Sequence, residues 1–374
     1  MLLAAQSTAW TTHDTRLIVA AILGIALIVV LIAVFSVHPF LALIAGSGLT
    51  GFAAGEGGAD VIKNFEEGVG ATLMEVGLLI ALGAMLGKML AESGGADQVV
   101  ETLVGRSGPK LLPWSMALVA VIVGLPMFFE IGLVLLLPVI VLVTKRSGLP
   151  LMRVAIPALA GLSVLHGLVP PHPGPLIAIS ALNAQLGITL AFGLIVAVPT
   201  VAVCGPLFSL LAAKWVPVGA PATAGGVDTT TERAASDDVK RPPSFGVTLA
   251  TILFPVVLML LKALADVVWN KEPDDRARLI LDFIGEPLVA LFLAVVLAMF
   301  TFGYAVGFDS KAIADKIAAA LPPIAGIILI VGAGGGFKQT LIGAGLGDSI
   351  GKAAHNSGLS VLLIAYLLAV AIRL

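Results

Sequence analysis

Three stretches of this sequence place chemistry-bearing residues where the surrounding chain is hydrocarbon. The segment "LHGLVPPHPGPL", residues 165–176, holds His166 and His172 among four prolines and lies between long apolar runs. Each histidine can donate a hydrogen bond, accept one or carry a proton near neutral pH. Prolines 170, 171, 173 and 175 remove four backbone donors and forbid helix through the segment. The unwound backbone frees carbonyl oxygens, and a helix resuming near Ile177 offers the positive end of its dipole. Discontinuous helices of this kind hold ions and anions in transporters. His166 is thus a proton-handling candidate, with His172, Gly174 and the nearby Ser163 as ligand contacts. The plain alternative is a pair of structural histidines.

The second stretch is "VGLPMFFEIGLVLLLPV", residues 123–139. Gly124, Pro126 and Gly132 interrupt it, and Glu130 is the only charge between Lys110 and Lys145. An ionised carboxylate near the centre of a bilayer costs roughly 2.5–3.5 kcal/mol on insertion scales, so a neutral form or a partner is expected. The run from Leu111 to Val143 is too long for one crossing and awkward for two, which predicts a re-entrant hairpin with Glu130 as a proton site. The alternative is a glutamate in an interfacial loop.

The third is "VGAGGGFKQTLIGAGLGDSIG", residues 331–351. Gly334, Gly335 and Gly336 are followed by Lys338, Gln339 and Thr340. A nucleotide phosphate loop needs Gly-Lys-Ser/Thr in sequence after a strand, and Phe337 and Gln339 break that order. A glycine-rich re-entrant turn beside a cation suits a carboxylate instead. The alternative is close glycine packing, with Lys338 reaching out to the interface.

What positions these residues is a membrane bundle. Of 374 residues, 59% are hydrophobic and only 12% charged, and the mean hydropathy is +1.08. A soluble domain needs more charge to cover its surface. Runs such as Leu17–Phe35, Leu190–Ala213, Phe245–Leu264 and Pro287–Tyr304 exceed the ~18 apolar residues expected of a spanning helix. Helices are predicted near 17–35, 38–54, 72–92, 111–123, 150–165, 188–214, 244–268, 286–306, 322–333 and 359–374. The stretches 55–68, 93–110, 144–149 and 307–320 read as loops or interfacial helices. Gly83 and Gly87, four apart, predict close helix packing. The net charge of −2 gives no basic field for nucleic acid, and the lone Cys204 excludes an internal disulfide or a cysteine metal site. The start lacks the pattern of a secretory signal. Basic clusters at Lys145, Arg146 and Arg153 and at Lys240 and Arg241 leave sidedness open.

The only long polar segment, 216–243, reads as a solvated linker. It divides the chain into an N-terminal segment 1–16, a first membrane repeat 17–215 with a hairpin near 124–140 and a broken helix near 165–176, and a second repeat 244–374 with a hairpin near 332–347. Interruptions at similar places in the two parts are the pattern of an inverted repeat. On that pattern the second part is expected to continue roughly 70 residues past Leu374.

In "GAMLGKMLAESGGADQ" (83–98), "FFEIGLVLLLP" (128–138), "LSVLHGLVPPHPGP" (162–175), "PSFGV" (243–247), "AMFTFG" (298–303) and "GAGGGFKQTLIGAG" (332–345) the chain resembles the gluconate permease family of gluconate:proton symporters. The matches fall in order from about residue 20 to the end. The resemblance implies an all-α, inverted-repeat fold of the ion-transporter superfamily type, with re-entrant hairpins and broken helices. It also implies a multi-pass inner-membrane protein that takes up gluconate or a similar sugar acid with protons and needs no cofactor. A homodimer is common among related folds. Family members continue beyond this point with a second Gly-Ser-Ala-Thr break, which is absent here.

Rival readings are a sodium-coupled carrier, or a carrier of D-serine or another small hydroxy acid. A membrane enzyme using His166, His172 and Glu130 is a further rival, although no His-Glu-x-x-His, Gly-x-Ser-x-Gly or magnesium-type acid cluster accompanies them. A channel lacks the expected rings of charge.

Overall fold

The structure is a computed structural model that describes residues 10–105, 107–219, 241–268 and 276–357, with isolated positions between 360 and 370. Every regular element among the described residues is helical. Among the described residues, seven helical stretches are long and apolar enough to cross a membrane. The chain is an all-α, polytopic membrane protein. It packs as two compact units, residues 1–74 with 326–374 and residues 75–325.

The first unit opens with α1 (Thr12–Ala33) and α2 (Pro39–Ala54). The start of α1 is set by a reciprocal capping box between Thr11 and Asp14. Close approach of α1 and α2 needs glycine: a Cβ on Gly24 would fall 1.8 Å from Thr50 Oγ1, and one on Gly46 would strike Ile28. Next comes α3 (Gly58–Thr72), then a π-helical turn, Leu73–Gly77, and α4 (Leu78–Glu92), so that helix is continuous from Gly58 to Glu92. Of the two readings of 55–68, loop or interfacial helix, the structure has helix from Gly58, continuous with the apolar span that follows. The charged residues of this segment, among them Lys63 and Glu67 on one face, are compatible with a helix end lying beyond the apolar span.

Late in the chain, α16 (Leu321–Gly343) and α17 (Leu346–Ser357) contribute to the same unit. Asp14, almost fully buried, accepts from Ser349 Oγ at 2.7 Å and from Lys352 Nζ at 3.1 Å. This ties the start of α1 to α17.

Within the hairpin expected near 332–347, α16 runs unbroken through residues 332–336, so these glycines form no turn, and the break falls at Ala344–Gly345, where Gly345 has φ +87. Gly335 and Gly336 serve contact with α3 instead. A Cβ on Gly335 would lie 1.9 Å from Thr72 Oγ1 and 2.7 Å from the Gly68 carbonyl, and one on Gly336 would lie 2.5 Å from the Phe65 ring. A continuous helix pairs its own amides, and small residues let two such helices approach.

In the turn between α2 and α3, Glu56 accepts from Asn64 Nδ2 at 2.9 Å through Oε1, while Oε2 is buried with no hydrogen-bond partner. Burial, followed by the nearby Asp60, pushes its carboxyl above the usual range against the opposing Asn64 bond. A group whose folded pKa is raised contributes less stability as pH climbs through that raised value. Glu56→Gln keeps an acceptor for Asn64 and removes the charge. Its melting temperature is expected to exceed the parent's at about pH 7, with the difference vanishing near pH 4. Thermal unfolding in detergent at the two pH values checks this.

The second unit contains α4 and then α5 (Gly95–Val104), α6 (Leu112–Gly124), α7 (Phe129–Ser147), α8 (Leu151–Leu168), α9 (Pro173–Ala181), α10 (Leu186–Ala202) and α11 (Phe208–Trp215), with a π turn at Val203–Leu207. Beyond the polar segment, of which 220–240 lie outside the described residues, come α12 (Phe245–Val268), α13 (Arg276–Ile284), α14 (Pro287–Ala298) and α15 (Ser310–Ala318). The helix expected at 359–374 lies largely outside the described residues.

Charged ties sit near helix ends, where the cost of desolvation is lower. Lys316 of α15 donates to Glu92 of α4 at 3.0 Å, Lys88 reaches the same carboxylate at 2.6 Å, and the Lys316 ammonium lies 4.5 Å from the Phe308 ring centroid. Lys262 pairs with Glu286, and Arg278 with Asp266 and Asp282.

Candidate functional site

Two helix interruptions meet in the second unit. α6 stops at Gly124, residues 125–128 turn, and α7 begins at Phe129. α8 stops at Leu168, and α9 begins at Pro173. The residues before prolines set this second break. Val169 (φ −116, ψ 117) and His172 (φ −69, ψ 150) are both extended, the conformation that a following proline favours.

Small residues bring the two breaks together. A Cβ on Gly124 would meet Leu162 at 3.0 Å and one on Gly132 would meet it at 2.7 Å, while one on Gly161 would meet Ala120 at 2.7 Å. α4 closes on the first break as its glycine spacing predicts, for a Cβ on Gly87 would lie 3.1 Å from the Pro126 carbonyl. Behind the turns is a void of about 10 Å³ lined by apolar residues including Leu86, Pro126, Pro170 and Pro171. It has the size of a single water.

His172 joins the breaks directly. Its ring is 4% exposed, and Nε2 lies 3.2 Å from the Met127 carbonyl. A carbonyl only accepts, so Nε2 carries the hydrogen, and neutral His172 keeps Nδ1 as an acceptor. That Nδ1 is buried with no hydrogen-bond partner. The His166 ring stands edge-on to His172 with centroids 5.3 Å apart. Phe128 flanks His172 and Phe129 flanks His166, each at 6.4 Å between centroids.

Both helices that restart here begin without a side-chain cap. The first-turn amides of α7 have no partner within their own helix. In α9, Pro173 and Pro175 lack an N–H, so Gly174 supplies the donor of that stretch. Both helix starts are positive dipole ends. Glu130 is the second residue of α7. Ser163 is exposed and three residues before His166, hence on the same side of α8.

The first unit holds the remaining sequence-derived candidates. Gly334, Gly335 and Gly336 are in the body of α16, Lys338 is exposed, and Gln339 is half-buried. Thr340 is buried and donates its hydroxyl to the Gly336 carbonyl at 3.0 Å.

The family model described as GntP family permease matches residues 16–374. The chain belongs to that family. Among curated relatives of this GntP family member, the gluconate permease of Pseudomonas aeruginosa is 48% identical over 97% of this chain and 79% of its own length. The high-affinity gluconate transporter of Escherichia coli is 37% identical over 96% of this chain and 79% of its own length. The Gnt-II system L-idonate transporter of Escherichia coli is 36% identical over the same shares, 96% and 79%. No solved structure matches. As a GntP family permease with seven apolar, membrane-length helices among the described residues, the chain is a multi-pass protein of the inner membrane.

Sequence reasoning did not single out Phe128 and Phe129, the rings beside the histidines, or Glu75 and Ser180. Ser180 Oγ of α9 donates to Glu75 Oε2. Glu75 carried the same signal as Glu130, a lone carboxylate in an apolar run.

Proposed function

We propose that the protein carries gluconate or a closely related sugar acid into the cell in symport with protons. The observation that carries this reading is the hydrogen bond from His172 Nε2 to the Met127 carbonyl, which holds two helix interruptions together within an apolar bundle. Irregular backbone at membrane depth is tolerated where protein or a watery cavity covers it, and substrates of broken-helix transporters sit at such places. The names of the relatives support the substrate class.

A sugar acid presents one carboxylate and several hydroxyls. The carboxylate suits the amides that open α7 and the Gly174 N–H, which supply hydrogen bonds and the positive ends of two dipoles. Hydroxyls suit His172 Nδ1, an acceptor, and Ser163, a donor and acceptor. Glu130, with His166 as its partner or alternative, takes the proton. Protonation cancels a charge inside the apolar region and so lowers the cost of moving the loaded element. In the first unit, exposed Lys338 is a cation for an anionic substrate, with Gln339 beside it, and Gly335 and Gly336 set how closely their helix lies on α3. The two halves flanking 216–243 are proposed to be inverted repeats.

The test is transport in proteoliposomes. The parent is expected to exchange labelled gluconate in counterflow, with unlabelled sugar acids competing, and to accumulate it on an imposed pH gradient. Glu130→Gln is expected to lower gradient-driven accumulation by roughly tenfold or more. Accumulation equal to the parent's would rule out the coupling role, and no counterflow with any sugar acid would rule out the substrate class.

A further inference from the structure

A second carboxylate lies at membrane depth, and the mechanism above does not use it. Along the continuous helix Gly58–Glu92, residues 68–87 contain one charged residue, Glu75. At about 1.5 Å per residue, that stretch is about 30 Å long, the thickness of a hydrocarbon core. Glu75 stands about 12 Å along the helix past Glu67, well inside the apolar part.

Its setting adds two independent observations. First, the helix is π-helical from Leu73 to Gly77, with Glu75 at the middle of that turn. Single π turns inside α-helices recur at functional sites, where they redirect a side chain. Second, Ser180 of α9 donates to the carboxylate. α9 is the short helix that begins just after His172, and Ser180 lies in its last turn, about 12 Å along the axis from that histidine. One short broken-helix segment thus has His172 at its start and holds Glu75 near its end.

The charges around Glu75 offer it no counter-ion. On its own helix the nearest are Glu66 and Glu67 toward one end and Lys88 and Glu92 toward the other, where Glu92 pairs with both Lys88 and Lys316. Between Pro173 and Ala181, α9 has no titratable residue, and His172 precedes it. Among the described residues no Lys, Arg or His lies within ion-pair distance of Glu75, which is exposed on the surface of its unit. A lone carboxylate at this depth is costly when ionised and cheap when protonated. One serine hydroxyl serves both forms, because it donates to a carboxylate and accepts from a carboxylic acid.

We infer that Glu75 is a proton-binding site of the carrier, additional to Glu130 and His166 and held by Ser180. The inference rests on the transport reading given above and adds a residue to its coupling machinery. The step conserves everything: one proton from the aqueous side joins the carboxylate, the Glu75–Ser180 hydrogen bond reverses direction, and the proton leaves on the other side.

Two measurements test it, one of them independent of substrate. Dicyclohexylcarbodiimide adds to protonated carboxyl groups at apolar depth. The purified protein in lipid is expected to take the adduct on the peptide containing Glu75, with less adduct as the pH is raised and none in Glu75→Gln. If that peptide stays unmodified while another intramembrane carboxyl reacts, the inference falls, whatever the protein transports. In proteoliposomes, Glu75→Gln is expected to lose roughly tenfold or more of the pH-gradient-driven accumulation of gluconate while still exchanging it in counterflow, and Glu75→Asp to recover part of the accumulation. A merely structural role would lower both activities together and so overturns the inference, as does accumulation by Glu75→Gln equal to the parent's. If the parent exchanges no sugar acid, the transport reading fails by itself, and the carbodiimide adduct alone decides for or against Glu75.

Discussion

Gly335→Leu is expected to yield almost no folded protein. The contact it disrupts is between helix backbones, where neither partner can give way cheaply. A Cβ at position 335 would lie 1.9 Å from Thr72 Oγ1 and 2.7 Å from the Gly68 carbonyl. Thr72 could change rotamer; the Gly68 carbonyl belongs to the backbone of α3 and cannot. The reverse contact is just as tight, since a Cβ on Gly68 would lie 2.4 Å from the Gly335 carbonyl. Relief requires the two helices to separate, which gives up the close packing that associates helices in lipid. Overpacking a filled site costs about 1–3 kcal/mol, and a backbone clash on this scale belongs at or beyond the top of that range. Gly334 is the internal control. Nothing lies within 4 Å of a Cβ placed there, so Gly334→Ala keeps the fold and can gain helix propensity, about 1 kcal/mol at most. Monodispersity and thermal melting of both variants in detergent give the comparison. Equal behaviour would mean that the α3–α16 contact is not close.

The same glycines show what a sequence does and does not disclose. Their composition announces close backbone approach, but the approach has two possible partners, a ligand or another helix. Choosing between them needs the position of residues 65–72, which are more than 250 residues away in sequence. Within the hairpin expected near 332–347, the glycines proved to face a helix and the chain breaks only at Ala344–Gly345. Prolines disclose more, because their effect is local. Pro170 and Pro171 interrupt the helix as expected, from Val169 to His172, but it resumes at Pro173 and not near Ile177, because Pro173 and Pro175 lie in the first turn of α9, where no intrahelical N–H is lost. Gly124 and Pro126 likewise forecast the interruption before Phe129. That the two breaks touch was not legible. The hydrogen bond between residues 172 and 127 and the wedge of Leu162 between Gly124 and Gly132 are tertiary facts.

Charge gave a mixed return for a related reason. Glu130 stood out because its flanks are apolar for many residues on both sides. Glu75 has the same quality over residues 68–87, yet the charged run just before it drew the helix start to residue 72 and placed the glutamate near an end. Helix from Gly58 moves it to the interior. The ties that fasten helix ends, such as Asp14 with Ser349 and Lys352, join residues more than 300 positions apart, and no local spacing signals them.

His172→Leu is expected to cost transport far more than His172→Gln. Leucine fills the buried volume but donates nothing, and the Met127 carbonyl loses the bond that connects the two breaks. Leaving a buried acceptor unsatisfied costs about 1–3 kcal/mol, enough to loosen the turn at 125–128 while the surrounding glycine contacts keep the bundle assembled. Counterflow of labelled gluconate is expected to fall roughly tenfold or more, since both the geometry of the helix starts and the acceptor at Nδ1 are lost. Glutamine is the informative neighbour. Its amide N–H₂ can donate to Met127 and its carbonyl can accept from a hydroxyl, so it restores both hydrogen-bonding roles without a titratable ring. If His172 acts as a hydrogen-bonding post, His172→Gln keeps counterflow within a few-fold of the parent and also keeps accumulation on a pH gradient. If the histidine itself must bind and release a proton, counterflow survives in the glutamine variant and gradient-driven accumulation does not. The proposed proton-handling groups, Glu130, His166 and Glu75, then gain His172. Equal counterflow in the leucine variant and the parent would show that the contact between the two breaks is not part of the transport path.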